Sequence, residues 1–144
     1  NFKTNEISAA LALNQIKHAD EILKKRQENV KYLNEGLAGI EELQLPKYDP
    51  NVSYLAYPVI LKDPSIIRYA FLNRLTVAGI ENRPFFSCVP LQQPAYEHLK
   101  ERWTDKLPNS EWLGNRGFHI GCHQYLTKEK LDKIIEAIKS CLRR

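Results

Sequence analysis

The chain has 144 residues, of which 43% are hydrophobic and 26% charged, and its formal net charge is +4 at pH 7. This length is enough to bury one hydrophobic core, and the proportions are those of ordinary globular domains rather than of disordered chains. No apolar run approaches the ~20 residues that span a bilayer. The only basic runs, at residues 24–26 and 143–144, lack the interleaved aromatic residues of nucleic-acid-binding faces. We therefore expect neither a membrane nor a nucleic acid as a partner.

The cysteines are three in number and far apart, at positions 88, 122 and 141. An odd count without close pairs argues against a disulfide framework and is typical of proteins from a reducing cytoplasm, which is the compartment we expect. Zinc sites of the finger type need closely spaced Cys or His pairs, so we expect no metal site.

The first predicted element is one long helix. Thr4 or Asn5 is placed to cap its start, apolar residues then recur every three or four positions, and Gly36 and Gly39 bracket its end. Residues 7–13 are apolar nearly all round the helix. This pattern suggests burial against something on several sides, and in an isolated domain we expect that surface to be exposed.

A strand–helix–strand pattern follows. Residues 40–51 read as a loop with a short extended segment, and residues 52–61 as a strand that Pro58 confines to a sheet edge or a bulge. Asp63 and Pro64 are typical of a helix start, Gly79 of its end, and residues 80–86 resume as a strand. This order predicts a small sheet with a helix on one face.

The last third of the chain is less regular and ends in a clear helix. Short helices are predicted over residues 95–102 and 110–114, and a buried strand over 118–122. Thr127 caps the final helix. The apolar residues of its inner face are Leu131, Ile134, Ile135, Ile138 and Leu142.

These elements predict an α/β fold of α+β character. It consists of the long helix, a mostly antiparallel sheet of about three strands, and covering helices. We assign residues 1–144 to a single domain, in which 1–39 form the long helix and 40–144 a small α/β part.

Three stretches resemble conserved segments of one enzyme family, in that family's order. The first is Asn-Phe-Lys at residues 1–3 with the helix start at 5–15. The second is Gly-Ile-Glu-Asn-Arg-Pro-Phe-Phe at 79–86, and the third is His-Gln-Tyr-Leu-Thr at 123–127. Together they cover nearly the whole chain. The chain resembles the DegT/DnrJ/EryC1/StrS family of pyridoxal-phosphate-dependent sugar aminotransferases.

The resemblance implies the C-terminal domain of a homodimeric fold-type-I aminotransferase of polysaccharide biosynthesis. Such an enzyme moves an amino group from glutamate to a keto sugar linked to a nucleotide, with pyridoxal phosphate as cofactor. In the family, the cofactor-bearing lysine belongs to a larger N-terminal domain, against which the long helix packs. We therefore expect this chain to lack catalytic residues and to be inactive alone.

Two alternatives stay open. Some members of the family are dehydratases that use the amine form of the cofactor and replace the catalytic lysine by histidine, at a position upstream of this chain. The other alternative is a non-enzymatic domain that self-associates through the apolar start of the long helix.

The resemblance also implies roles for named residues. Asn1 and Lys3 would reach the cofactor phosphate of the neighbouring subunit, for which an amide and an ammonium group are suitable donors. Arg83 would face the diphosphate of the substrate, with Phe86 against its base or sugar ring. The alternative for Arg83 is an ion pair with Glu81.

Two further polar residues are candidate substrate contacts. Many relatives carry Pro-Leu-His before a Gln-Pro pair, whereas this chain has Pro-Leu-Gln-Gln-Pro at residues 90–94. Gln92 or Gln93 would take the hydrogen-bonding role, and we include Gln93 among the site residues. His123 matches the family pattern, and its alternative role is a hydrogen bond to the backbone ahead of the last helix.

Overall fold

The computed structural model describes residues 3–85, 93–103 and 105–143, which form helices and short strands. In chain order the elements are α1 (Glu6–Ile16), α2 (Ala19–Leu37), β1 (Leu43–Gln44), β2 (Tyr57–Leu61), α3 (Arg68–Val77), β3 (Asn82–Pro84), a 3₁₀ helix (Pro94–Leu99), α4 (Lys100–Trp103), α5 (Pro108–Arg116), β4 (Gly117–Ile120) and α6 (Lys128–Leu142). None of the helices in these ranges is long and apolar enough to cross a membrane.

The sheet has the strand order β1-β2-β4-β3, and every neighbouring pair is antiparallel. β2 and β3 therefore run parallel to each other, with β4 inserted between them and α3 as the crossover, as in a split β-α-β unit. The predicted α/β class and the small antiparallel sheet are confirmed. The sheet has four strands rather than about three, because the extended segment expected within residues 40–51 pairs with β2 as β1.

The core lies between the sheet and helices α2, α3 and α6. Each helix buries one stripe of side chains, as its apolar periodicity predicts. The largest fully buried side chains are Tyr57, Phe71, Phe118, Leu33, Leu37, Leu61, Leu75, Ile120, Ile138, Val30 and Val59. Thr127 caps α6 as expected, because its Oγ1 accepts a hydrogen bond from the backbone N–H of Lys130 at 3.4 Å.

The long N-terminal helix is broken, which corrects the prediction of one continuous element. The backbone N–H of His18 bonds to the carbonyl of Gln15, three residues back instead of four, and His18 adopts φ −105° and ψ 7°. The helical hydrogen-bond ladder is thereby interrupted, and α2 resumes with the N–H of Ile22 donating to the His18 carbonyl. The two halves also differ in burial, since α1 has no buried residue and α2 has four.

Helix α3 begins later than Asp63 and Pro64 predict. The Asp63 carboxylate accepts hydrogen bonds from the backbone N–H of Ser65 at 2.8 Å and from its hydroxyl at 2.6 Å, which closes a turn. Asp residues make such turns as readily as they cap helices. The helix starts only at Arg68, whose guanidinium donates to the carbonyls of Gly114 and Gly117 and ties α3 to α5.

The end of α3 fixes the start of the strand that carries Arg83. Gly79 has φ 78°, its N–H donates to the Thr76 carbonyl, and the N–H of Ile80 donates to the Leu75 carbonyl, both at 2.9 Å. This is the Schellman arrangement, in which a residue with positive φ, usually glycine, reverses the chain after a helix. The chain then turns directly into β3, as the sequence predicts.

Pro58 lies in a strand that is not at the sheet edge, contrary to one of the two expectations for it. β2 has β1 on one side and β4 on the other. However, β1 pairs only with Ile60 and Leu61, so at Pro58 the strand is paired on the β4 side alone. Proline lacks a backbone N–H, but on the side away from β4 no neighbouring strand needs one at this position, as at a sheet edge.

Candidate functional site

Arg83 and His123, two of the sequence-predicted residues, line one cavity of about 450 Å³ beside β3. It lies where β3 and the end of β4 meet the beginning of α6. His119 and two lysines, Lys130 and Lys133, add to its polar lining. The apolar side chains of the lining are Ala56, Ile80, Ile120, Leu126 and Ile134.

Arg83 is placed by the register of the outermost strand pair. It lies directly opposite His119 of β4, so both side chains leave the sheet on the same face. Arg83 Nη2 is 3.2 Å from Glu81 Oε1, which is the ion pair that the sequence offers as the alternative role. Both side chains are largely exposed, so this pair contributes little to stability and leaves the guanidinium able to contact a ligand.

The histidine opposite Arg83 has a perturbed titration. Partial burial lowers the pKa of His119 below the usual value, and the positive charge of Arg83 lowers it further. The His119 ring also stacks on Phe85, with 6.2 Å between centroids. At neutral pH this side chain is therefore a neutral hydrogen-bonding group within the cavity lining.

His123 lies in the turn between β4 and α6. Its Nδ1 accepts a hydrogen bond from the backbone N–H of Tyr125 at 3.3 Å. Its carbonyl accepts from the buried Asn29 Nδ2 at 2.9 Å and from the N–H of Leu126 at 3.2 Å. His123 thus has the backbone role that the sequence offers as an alternative, while its exposed side chain still borders the cavity.

The other predicted site residues are not brought to this cavity. Gln93 is exposed and precedes the 3₁₀ helix, where its carbonyl accepts the N–H of Tyr96 at 3.0 Å. Lys3 is exposed just ahead of α1. Neither residue is among those that line the cavity. The predictions for Asn1 and Phe86 fall outside the described residues.

The sequence did not single out Lys130 and Lys133. Both are exposed on α6, and both border the cavity. Their spacing of three residues, on a helix that follows a strand, is the only signal that could have suggested a shared surface.

Comparison with known proteins decides the family. Residues 1–139 match the DegT/DnrJ/EryC1/StrS aminotransferase family. This chain belongs to that family. The resemblance drawn from the three sequence stretches is thereby confirmed.

Curated proteins with similar sequences include sugar-modifying enzymes. The chain is 31% identical over 141 residues to a dTDP-4-dehydro-2,6-dideoxy-D-glucose 3-dehydratase of Saccharopolyspora spinosa, covering 96% of this chain and 30% of that protein. It is 33% identical over 141 residues to the lipopolysaccharide biosynthesis protein RfbH of Salmonella typhimurium, covering 94% and 32%. The chain therefore spans about a third of the length of these two relatives.

Two solved structures have the same fold at low sequence identity. S. venezuelae DesV, described in complex with a ketimine intermediate, has a TM-score of 0.85 at 19% identity, over 99% of this chain and 38% of DesV. The E. coli GDP-4-keto-6-deoxy-D-mannose-3-dehydratase with bound hydrated PLP has a TM-score of 0.79 at 23% identity, over 92% and 35%. The predicted fold, that of a part of a PLP aminotransferase, is confirmed.

Proposed function

We propose that this chain is the C-terminal part of a pyridoxal-phosphate-dependent enzyme that acts on a keto sugar linked to a nucleotide. The observation that carries the proposal is the family match over residues 1–139. Relatives named for dTDP- and GDP-linked sugars support the substrate class. Because the chain spans about a third of its relatives, we propose that it is inactive alone and works with a larger N-terminal domain.

The first candidate reaction is amino transfer from glutamate to the keto carbon of the sugar. The bound cofactor would supply the carbonyl group that accepts and then releases the amino group. This domain would bind and orient the substrate. Arg83 would hold the diphosphate, and His123 and Gln93 would donate or accept hydrogen bonds from the sugar, with Phe86 against a ring.

The residues at the start of the chain suit the cofactor's phosphate. Lys3 places an ammonium group one residue before Thr4 and two before Asn5, the residue whose side chain caps α1. Asn1 would add an amide donor. Both groups are hydrogen-bond donors of the kind that phosphate dianions accept, and the exposed Lys3 is accessible to a phosphate of another subunit.

Helix α1 would provide the contact with the large domain and with the second subunit of a homodimer. Its apolar side chains face solvent in this chain, with exposed fractions of 75% for Ile7 and 65% for Leu11. Leu13 and Ile16 are similarly exposed. An apolar surface of this extent on a short helix is typical of a protein–protein contact.

Dehydration at carbon 3 of the sugar is the second candidate reaction. It is favoured by the relative from Saccharopolyspora spinosa and by two GDP-4-keto-6-deoxy-D-mannose 3-dehydratases, each 24% or less identical. The two reactions would differ at the cofactor-bearing lysine of the larger N-terminal domain, which the dehydratases of the family replace by histidine. The domain would bind the same class of substrate in both.

The test is a visible absorbance titration with pyridoxal phosphate, on this chain alone and on its mixture with the separately expressed N-terminal domain. Amino transfer predicts that the absorbance band of a lysine-bonded cofactor appears in the mixture but not with this chain alone. Glutamate should shift this band, and a keto sugar nucleotide should then restore it. Dehydration predicts cofactor binding without the band of a lysine-bonded cofactor. Absence of any spectral change in a folded mixture would refute both reactions and favour the interaction domain.

A pair of variants tests the phosphate contact. Lys3→Ala should weaken cofactor binding by the mixture about tenfold, which is the loss of one charge-assisted hydrogen bond. Lys24→Ala removes the same charge from the exposed surface of α2 and should leave the affinity unchanged. Equal affinities in the two variants would contradict the role of Lys3.

A further inference from the structure

Two lysines of α6 are close to the strand that carries Arg83. Lys130 and Lys133 both border the cavity described above, together with Arg83. A Cβ built on Gly79 would lie 3.3 Å from Lys133 Nζ, so the ammonium group lies over the glycine that ends α3. The helix end, the edge strand and α6 thus bring three cations to one concave surface.

The charges of this cavity are unbalanced. Glu81 is the only carboxylate among its described lining residues, and it pairs with Arg83. Neither Lys130 nor Lys133 forms an ion pair in the described part of the chain. The positive end of α6, capped by Thr127, lies within one turn of Lys130 and adds to the potential. Burial lowers the pKa of His119, and the charge of Arg83 lowers it further, so this histidine adds no positive charge of its own at neutral pH.

The size and apolar lining of the cavity narrow the class of ligand. Its volume of about 450 Å³ is within the range of roughly 300–1,000 Å³ of small-molecule pockets. Ile80, Ile120 and Ile134 supply an apolar surface beside the cations. The arrangement suits a ligand with at least two adjacent anionic groups and an uncharged ring system. A single carboxylate would leave most of the positive charge unpaired.

We propose that Lys130 and Lys133, together with Arg83, form a subsite for the diphosphate of a nucleotide-linked ligand. This inference rests on the proposed function for the identity of that ligand and extends it to two residues of α6. The guanidinium would bind one phosphate through parallel hydrogen bonds, and the two ammonium groups would neutralise the other. Lys3, the proposed contact of the cofactor phosphate, does not line this cavity.

Calorimetric titration of the chain with GDP, dTDP, inorganic pyrophosphate and pyridoxal phosphate tests the subsite. We expect GDP or dTDP to bind more tightly than pyridoxal phosphate, and the double variant Lys130→Gln/Lys133→Gln to bind at least about tenfold more weakly. Lys139→Gln changes the same charge on the same helix outside the cavity. It should alter affinity less than about twofold, since distant surface charges are screened by salt.

The proposal is overturned if neither nucleotide binds, if the double variant binds as tightly as the original chain, or if Lys139→Gln has the same effect. A second readout separates it from the proposed function. In the mixture with the N-terminal domain, the double variant should raise KM for the sugar nucleotide about tenfold and leave kcat within about twofold. An active mixture with unchanged KM refutes the subsite alone. Nucleotide binding through the lysines without any cofactor-dependent reaction refutes the proposed function alone.

Discussion

The turn that carries His123 depends on one buried amide, and its removal makes a quantitative prediction. Asn29 is 1% exposed, and its Nδ2 donates to the carbonyls of Cys122 at 3.3 Å and His123 at 2.9 Å. Asn29→Ala takes this donor from both carbonyls. The His123 carbonyl keeps the N–H of Leu126 as a donor, so its loss is the smaller one.

The size of the effect follows from these contacts. A buried acceptor left without a donor costs about 1–3 kcal/mol, and a hydrogen bond whose acceptor keeps another partner about 0.5–1.5 kcal/mol. We therefore expect Asn29→Ala to lower the free energy of unfolding by about 1.5–4.5 kcal/mol. At about 3 °C for each kcal/mol in a chain of this length, the midpoint of thermal unfolding should fall by roughly 5–14 °C.

Urea unfolding followed by circular dichroism measures this change directly. It should be run at two protein concentrations, because association through α1 would add a concentration-dependent term. Asn73→Ala is the matched control, since Asn73 is exposed on α3 and its substitution should change stability by less than about 0.5 kcal/mol. If Asn29→Ala falls within the same limit, the hydrogen bonds from Asn29 do not hold the turn.

Three further outcomes follow from the packing, the titration and the exposed surface. Gly36→Ala should destabilise the chain by about 1–3 kcal/mol, because an added Cβ would overlap the side chain of Ile135. In thermal melts, the double variant Gly36→Ala/Ile135→Val should regain part of the stability that Gly36→Ala loses. His119 has a pKa lowered by burial and by Arg83, so the folded state resists its protonation. Stability should fall as pH drops below the ordinary histidine pKa, and His119→Gln should remove that part of the pH dependence in urea titrations at several pH values. Leu11→Glu should reduce self-association in sedimentation velocity, since Leu11 is 65% exposed, and an undiminished association would contradict a role for α1 as the contact surface.

Local signals in the sequence predicted most of the elements. The apolar periodicity of α6 and the cap at Thr127 are sufficient to predict this helix, because both depend only on residues close together in the sequence. The same holds for Asn5, whose side chain accepts the N–H of Ser8 at 2.8 Å. Gly79 likewise predicts the end of α3, since the positive φ at that position is strained for other residues.

The errors arose where the sequence allows two local structures. Asp63 could cap a helix or close a turn, and its bonds to Ser65 select the turn. The interruption at His18 has no marker such as proline or glycine in the sequence. The burial of α1 and α2 also differs from what their composition suggests, because the apolar α1 has no buried residue in this chain whereas the more polar α2 has four.

The candidate site was predictable only in part. Arg83 and His123 lie in stretches that resemble the family, so the sequence could point to them. Lys130 and Lys133 look like any solvated helix surface in the sequence, and only the placement of α6 beside β3 brings them to the cavity. Gln93 is a candidate only through the resemblance of its loop to the family, and its role stays a prediction.

The absence of buried residues in α1 has a consequence for folding. Cooperative unfolding involves the elements that share a core, and the core of this chain includes α2, α3 and α6 but no residue of α1. The N-terminal boundary of the folding unit therefore lies at the interruption near His18 rather than at the beginning of the helix. Opening of α1 should cost little free energy, so its amide hydrogens should exchange with solvent far faster than those of α2 until another protein surface covers it.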